Sequence, residues 1–112
     1  MRRYCLTLDL KDDARLIAGY EHHHRQIWPE ITESIKGSGI EKLEIYRYKT
    51  RLMMIMEVND AFSFETKAKM DTGNAKVQEW ETLMWKYQQA LPGEKEGVKW
   101  GLMNKIFDLQ NQ

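Results

Sequence analysis

Residues Leu52-Met53-Met54-Ile55-Met56-Glu57-Val58 would place apolar side chains on both faces of a strand. A strand with one face in water alternates apolar and polar residues, whereas a strand covered on both faces is apolar throughout. Residues 52–58 are therefore predicted to form a central strand of a sheet that is covered on both sides. A short polar turn, Lys49-Thr50-Arg51, separates this strand from a preceding strand at 40–48.

The segments outside these two strands alternate between strand and helix periodicity. Residues 3–10 alternate in polarity and predict a first strand. Helical patterns follow this strand and follow the strand at 52–58, and a last strand is predicted near residues 99–109. The predicted helices begin after a capping Asp12 or Asp13, begin again at Pro29, and cover residues 61–72 and 75–90.

The resulting order is β-α-β-β-α-β, with each helical region broken in two. This order predicts an α+β fold of the ferredoxin-like type, an antiparallel four-stranded sheet with helices on one face. Because the strand at 52–58 is apolar on both sides, the open face of the sheet also needs cover. A second copy of the chain would supply it, which predicts a homodimer in the form of a dimeric α/β barrel. The 112 residues are expected to form a single domain spanning 1–112.

Charge and composition exclude several classes of partner. The chain carries 17 basic and 17 acidic side chains, so its formal net charge is zero. Such a balance argues against electrostatic binding of nucleic acid or of an anionic membrane surface. No stretch approaches the length of apolar sequence that spans a bilayer, and no signal peptide is evident. The single cysteine, Cys5, cannot form an intrachain disulfide, which predicts a cytoplasmic location.

The segment from Tyr20 to Glu30, Tyr-Glu-His-His-His-Arg-Gln-Ile-Trp-Pro-Glu, is the first candidate for chemistry. Tyr20 and His24 are four residues apart, so on a helix they lie one turn from each other on one face. Imidazole exchanges protons near pH 7, and a phenol can donate a hydrogen bond. The spacing leaves two interpretations open, a catalytic pair or a hydrogen-bonded core histidine beside a core tyrosine. His22 and His23 lie off the apolar stripe and are expected to be solvated.

Three consecutive histidines do not predict a metal site, because on a helix they point about 100° apart. Two aromatic residues elsewhere are candidates for a binding pocket. Tyr46 alternates with Leu43 and Ile45, so it should point into the open face of the sheet if those two meet the helices. Trp80 lies on the apolar stripe of its helix, where it is either core or a surface for a ligand.

The chain resembles the L-rhamnose mutarotase family over nearly its whole length. Four segments carry the resemblance: Tyr20-x-x-x-His24-x-x-Ile27-Trp28-Pro29-Glu30, Ile45-Tyr46, Val77-Gln78-Glu79-Trp80, and the closing Ile106-Phe107-Asp108-Leu109. The resemblance implies interconversion of the α and β anomers of a 6-deoxy-L-sugar, with a monosaccharide as substrate and with no cofactor or metal. It implies proton transfer by His24, assistance from Tyr20, and substrate binding by Tyr46 and Trp80. We add Trp28, from the same motif, to the substrate-binding candidates.

One departure from the family pattern bears on the substrate. Rhamnose-type members often carry Trp-Trp where this chain has Trp80-Glu81, so Glu81 would replace a ring in one wall of the pocket. The run from Val77 to Lys86 looks closer to a subgroup linked with L-fucose breakdown. L-Fucose and L-rhamnose are therefore both candidate substrates, and they differ in hydroxyl stereochemistry that one hydrogen bond can distinguish.

Two other functional classes fit the predicted fold, because a fold does not determine an activity. One is a non-catalytic module that binds a sugar or another ligand in the same aromatic pocket. The other is a cofactor-free or heme-handling monooxygenase, which would use His24 as an axial ligand if it bound heme.

Overall fold

The structure is a computed structural model that describes residues 1–95 and 100–112. Strands and helices follow one another in the predicted order, and a short 3-10 turn closes the chain. The elements are β1 (Arg2–Leu10), α1 (Ala14–Arg25), α2 (Pro29–Gly37), β2 (Ile40–Tyr48), β3 (Arg51–Val58), α3 (Phe64–Thr72), α4 (Ala75–Met84), β4 (Gln88–Gln89), β5 (Gly101–Leu102) and the turn at Leu109–Asn111.

The strands form one antiparallel sheet in the order β2-β3-β1-β4, with β5 also paired to β1. β1 and β3 pair along their whole length, from Arg2 opposite Val58 to Asp9 opposite Arg51. Both are inner strands, as the apolar stretch at 52–58 predicts. The ferredoxin-like fold is confirmed, with one difference at the edge beside β1, where two short segments occupy the place of the fourth strand.

The helices cover one face of the sheet and bury two apolar clusters against it. One cluster is centred on Val58 and the other on Leu52, both almost inaccessible to solvent. Tyr20 and Met84 join the second cluster, which therefore ties α1 and α4 to the sheet. On the opposite face, Met53 and Ile55 are only half-buried, so the single chain leaves this face partly exposed.

The helix starts follow from capping side chains. Asp13 accepts hydrogen bonds from the backbone N–H groups of Arg15 and Leu16, so α1 begins after the second of the two predicted aspartates. Ser63 caps α3, which therefore begins at Phe64 rather than at residue 61. Within 1–95 and 100–112, no helix has the length and apolar character needed to cross a bilayer.

The predicted helix at 75–90 is wrong in its second half, since α4 ends at Met84. The chain turns at residues 85–87 and then pairs with β1, Gln88 opposite Leu10 and Gln89 opposite Asp9. The backbone N–H of Lys11 also donates to the carbonyl of Tyr87 at 2.8 Å. The helical spacing of apolar residues continues through this segment. The backbone N–H and carbonyl groups at the edge of β1 need hydrogen-bond partners, however, and this requirement outweighs the helix propensity.

The predicted last strand near 99–109 is confirmed only at Gly101–Leu102, which pair with Thr7 and Leu6 of β1. Lys99 lies outside the described residues. The backbone N–H of Met103 donates to the carbonyl of Cys5, after which the chain leaves the sheet. Ile106 is 96% exposed and Phe107 64% exposed in the single chain.

Candidate active site

Helix α1 places Tyr20 and His24 one turn apart on the face that meets the core. Their ring centroids are 4.3 Å apart and the ring planes are tilted by 34°. Tyr20 is buried, with 3% of its surface exposed, whereas His24 is half-buried. The predicted pairing of the two side chains is therefore confirmed, and Tyr20 is also part of the apolar core.

A hydrogen bond to the backbone fixes the proton on one nitrogen of His24. Its Nδ1 lies 2.8 Å from the carbonyl oxygen of Tyr20, and a carbonyl can only accept, so Nδ1 carries the hydrogen and donates it. In the neutral ring, Nε2 is then the nitrogen with the lone pair. Burial lowers the pKa of His24 below its usual value, although the bond to the Tyr20 carbonyl opposes part of this effect. The imidazole is thus neutral at pH 7 and able to accept a proton through Nε2.

Burial shifts the pKa of Tyr20 in the opposite direction from that of His24. It raises the pKa of the phenol to about 12, and a hydrogen bond with the side chain of Gln88 partly counteracts this rise. Gln88 is itself buried in β4. The phenol therefore keeps its proton throughout the neutral pH range, where it serves as a hydrogen-bond donor and not as a base.

A group of contacting rings surrounds His24, and we call it the aromatic layer. Its members are Tyr20, His23, His24, Trp28, Trp80 and Tyr87. The Trp80 ring lies 5.5 Å from the His24 ring and 5.2 Å from the Trp28 ring, in both cases edge to face. His24 is therefore held between Tyr20 of its own helix and Trp80 of α4.

Two cavities flank the aromatic layer. The apolar cavity, of about 280 Å³, lies between the sheet and helices α2, α3 and α4. Its walls are mostly apolar, and polar groups reach it from Glu81, Gln88 and the Lys67–Asp71 ion pair, whose closest N···O distance is 2.7 Å. The open cavity lies beside the end of α1, where charged side chains of Glu21, Arg25 and Arg47 line it together with Tyr20, His24 and Tyr46.

The predicted site residues occupy three positions relative to these cavities. Tyr20, His24, Trp28 and Trp80 meet in the aromatic layer. Tyr46 borders the open cavity together with His24 and is 53% exposed. Its backbone pairs with Met53, so both side chains lie on the face of the sheet away from the helices. Glu81 borders the apolar cavity together with Trp80.

The expectation that His23 is solvated is wrong. His23 is half-buried, and its Nε2 lies 3.1 Å from the hydroxyl oxygen of Tyr87. Tyr87 reaches it because α4 ends at Met84 and the following turn passes beside α1. The helical stripe of α1 gave no signal for this contact, because its partner is 64 residues away in the sequence. His22 is exposed, as expected.

Metal-binding side chains do not converge in the part of the chain that the structure describes. No group of three or more histidine, cysteine, aspartate or glutamate side chains there could hold a metal ion.

Known proteins match this chain over most of its length. The family model described as L-rhamnose mutarotase matches residues 3–109. The chain belongs to the L-rhamnose mutarotase family. Its relatives include an L-fucose mutarotase of Xanthomonas campestris pv. campestris, 47% identical over 111 residues, a match that covers 97% of this chain and 89% of the relative.

Solved structures share the fold of this mutarotase-family chain. An L-rhamnose mutarotase from Formosa agariphila superposes with a TM-score of 0.71 at 19% identity, covering 97% of this chain and 99% of the other. A dimeric ferredoxin-like protein from an uncultured marine organism superposes with a TM-score of 0.51 at 10% identity, covering 95% and 90%. At these identities the likeness concerns the fold alone.

The lowered pKa of His24 predicts a dependence of stability on pH. The folded state binds the proton more weakly than the unfolded chain, whose histidines titrate near 6.5. The free energy of unfolding should therefore fall as the pH drops below about 6.5, until the folded state is protonated as well. The substitution His24→Asn keeps an N–H near the position of Nδ1 and removes the titrating imidazole. In urea unfolding measured between about pH 5 and 8, the free energy of unfolding should therefore change less steeply with pH than in the wild type.

The matched control is His22→Asn, which removes an exposed imidazole and should keep the slope of the wild type. Equal slopes for wild type and His24→Asn would contradict the prediction.

Proposed function

We propose that this protein interconverts the α and β anomers of a 6-deoxy-L-hexose, with L-fucose as its preferred substrate. The observation that carries the proposal is the half-buried, neutral imidazole of His24, with Nδ1 bonded to the backbone and Nε2 left as the proton acceptor. Family membership supports the reaction, and the 47% identity to an L-fucose mutarotase supports the choice of sugar. The same membership favours a mutarotase over a monooxygenase of this fold.

Mutarotation requires one proton acceptor and one proton donor. A base removes the proton of the anomeric hydroxyl while an acid protonates the ring oxygen, which opens the ring to the aldehyde; after rotation the steps reverse. We assign both transfers to Nε2 of His24, which takes the proton of the anomeric hydroxyl and passes it to the ring oxygen, because a group with a pKa near the working pH transfers protons efficiently in both directions. We assign to Tyr20 a hydrogen bond toward the sugar, since its phenol remains protonated.

The two cavities suggest how the sugar is oriented. A 6-deoxyhexose has an apolar end, its methyl group, and several hydroxyls. In our proposal the sugar lies against Trp80, with its methyl in the apolar cavity and its anomeric hydroxyl toward His24. Glu81 and Tyr46 hydrogen-bond other hydroxyls, and Trp28 packs behind Trp80. Aromatic rings suit the apolar face of a sugar ring.

The direct test is proton NMR saturation transfer between the anomeric protons of L-fucose, with and without a catalytic amount of enzyme. The wild type should accelerate exchange, and His24→Asn should lose about 100- to 10,000-fold, the usual contribution of general acid-base catalysis. The control His22→Asn changes an exposed histidine of the same helix and should retain full activity.

Two outcomes would contradict this assignment. Equal loss of thermal stability and of activity in His24→Asn would favour the core-histidine interpretation. Binding of L-fucose by the wild type without faster exchange of its anomers would instead identify a sugar-binding module that uses the same aromatic layer.

The proposed orientation predicts discrimination against L-galactose, which differs from L-fucose by a hydroxyl on the methyl carbon. That hydroxyl would enter the apolar cavity and lose its hydrogen bonds to water. The kcat/KM for L-galactose should be lower by about 100-fold, the usual limit when an apolar pocket rejects an added hydroxyl. Similar kcat/KM values for the two sugars, each corrected for the spontaneous rate, would show that the methyl lies elsewhere.

We further propose that a second copy of the chain covers the open face of the sheet. Met53 and Ile55 are apolar but half-buried there, and the apolar tail residues Ile106 and Phe107 are exposed in the single chain. Burial of such surfaces between two copies is favourable. The structural neighbour described as dimeric supports this arrangement.

Sedimentation equilibrium tests the dimer. The wild type should have twice the 13.4 kDa mass of the chain, and Ile55→Glu should shift it toward the monomer because a charge would be buried at the interface. Met70→Glu places the same charge at an exposed site on α3 and should remain dimeric. A wild type that sediments as a monomer at micromolar concentration would contradict the proposal.

A cytoplasmic location is part of the same proposal. Cys5 is a free thiol, which suits the reducing conditions of that compartment.

A further inference from the structure

Outside the residues assigned to the reaction, one side-chain pair joins α1 to the turn after α4. The Nε2 atom of His23 lies 3.1 Å from the hydroxyl oxygen of Tyr87, and their ring centroids are 5.6 Å apart. The backbone of Gly19 allows this approach, because a Cβ atom there would lie only 2.9 Å from Cε1 of Tyr87. The Tyr87 ring would therefore have to shift to accommodate a side chain at residue 19.

Each member of this pair contacts one of the two rings that hold His24. The Tyr87 ring lies edge-on to the Tyr20 ring, with centroids 6.3 Å apart. The His23 ring lies edge-on to the Trp80 ring, with centroids 6.4 Å apart. Tyr20 and Trp80 in turn contact the ring of His24, at 4.3 Å and 5.5 Å. The pair thus closes a ring of aromatic contacts that includes His24.

We propose that Tyr87, through its hydrogen bond with His23, is a positioning residue that holds Tyr20 and Trp80 against His24. The proposal rests on the proposed function, in which His24 moves the proton. Neither Tyr87 nor His23 has to touch the sugar, so their loss should affect the proton-transfer step more than binding. Small displacements of a catalytic group cost rate because the reacting atoms must be aligned.

The test variant is Tyr87→Phe, which removes the hydroxyl and keeps the ring. We expect kcat for L-fucose mutarotation to fall about ten-fold, with KM unchanged within about two-fold. The ring signals of His24, assigned by comparison with His24→Asn, should shift in the NMR spectrum, because the shielding by Tyr20 and Trp80 changes. The matched control is Tyr4→Phe, which also removes a hydroxyl but outside the aromatic layer. That hydroxyl accepts one side-chain hydrogen bond, from Nη1 of Arg2 at 3.2 Å. It should leave kcat and the His24 signals unchanged.

A second variant separates positioning from loss of stability. Gly19→Ala favours helix formation, because alanine has the higher helix propensity, but it pushes a Cβ toward the Tyr87 ring. It should lower kcat and shift the His24 signals without disrupting α1, as followed by circular dichroism. Wild-type kcat in Tyr87→Phe, or a reduced kcat with unmoved His24 signals, would overturn the proposal.

The NMR signals keep this inference distinct from the proposed function. If the wild type fails to accelerate anomer exchange, the mutarotase assignment fails, and the His24 signals of Tyr87→Phe alone decide the positioning role. Unmoved signals would overturn that role, and shifted signals would support it.

Discussion

The pairing of β1 on both of its edges determines where the second half of the chain must lie. β3 pairs with one edge along its whole length, and the other edge is shared by β4 at Asp9–Leu10 and β5 at Leu6–Thr7. An inner strand buried under helices cannot leave its N–H and carbonyl groups without partners. The chain therefore ends α4 at Met84 and turns back to β1, and this turn brings Tyr87 and Gln88 beside α1. The hydrogen-bonding needs of the sheet thus place two of the groups that surround the candidate catalytic pair.

Burial then gives that pair its chemical character. Removal from water disfavours the charged form of either group, so it raises the pKa of Tyr20 and lowers that of His24. One physical cause thus yields a phenol that stays protonated and an imidazole that stays unprotonated at pH 7. The core around Leu10, Leu52 and Met84, which packs against Tyr20, contributes to the site as much as to the stability of the fold.

Local sequence patterns predicted the features that depend on neighbours in the chain. Alternation located the first two strands, the continuous apolar run located the third, the Asp12-Asp13 pair marked the start of α1, and helical spacing placed Tyr20 beside His24. Features that depend on partners far away in the sequence were not predicted. Two-residue strands such as β4 carry no periodicity, so the helical stripe through Tyr87 was extended too far. His23 was expected in solvent because its partner lies 64 residues away. The division into two cavities likewise depends on the side-chain packing of three elements, which spacing along one helix does not describe.

The structural and catalytic interpretations of His24 do not exclude each other. The bond from Nδ1 to the Tyr20 carbonyl satisfies a buried donor, which is what a core histidine requires. The same bond fixes the tautomer, so that Nε2 carries the lone pair, which is what a general base requires. A histidine that served the core alone would be most stable with its whole ring inside the apolar cluster and both nitrogens paired. His24 instead borders an open, polar cavity while its neighbour Tyr20 is almost completely buried. The stability that the backbone bond provides is thus compatible with a ring nitrogen available to a ligand, and the catalytic interpretation needs no contact beyond those that also hold the fold.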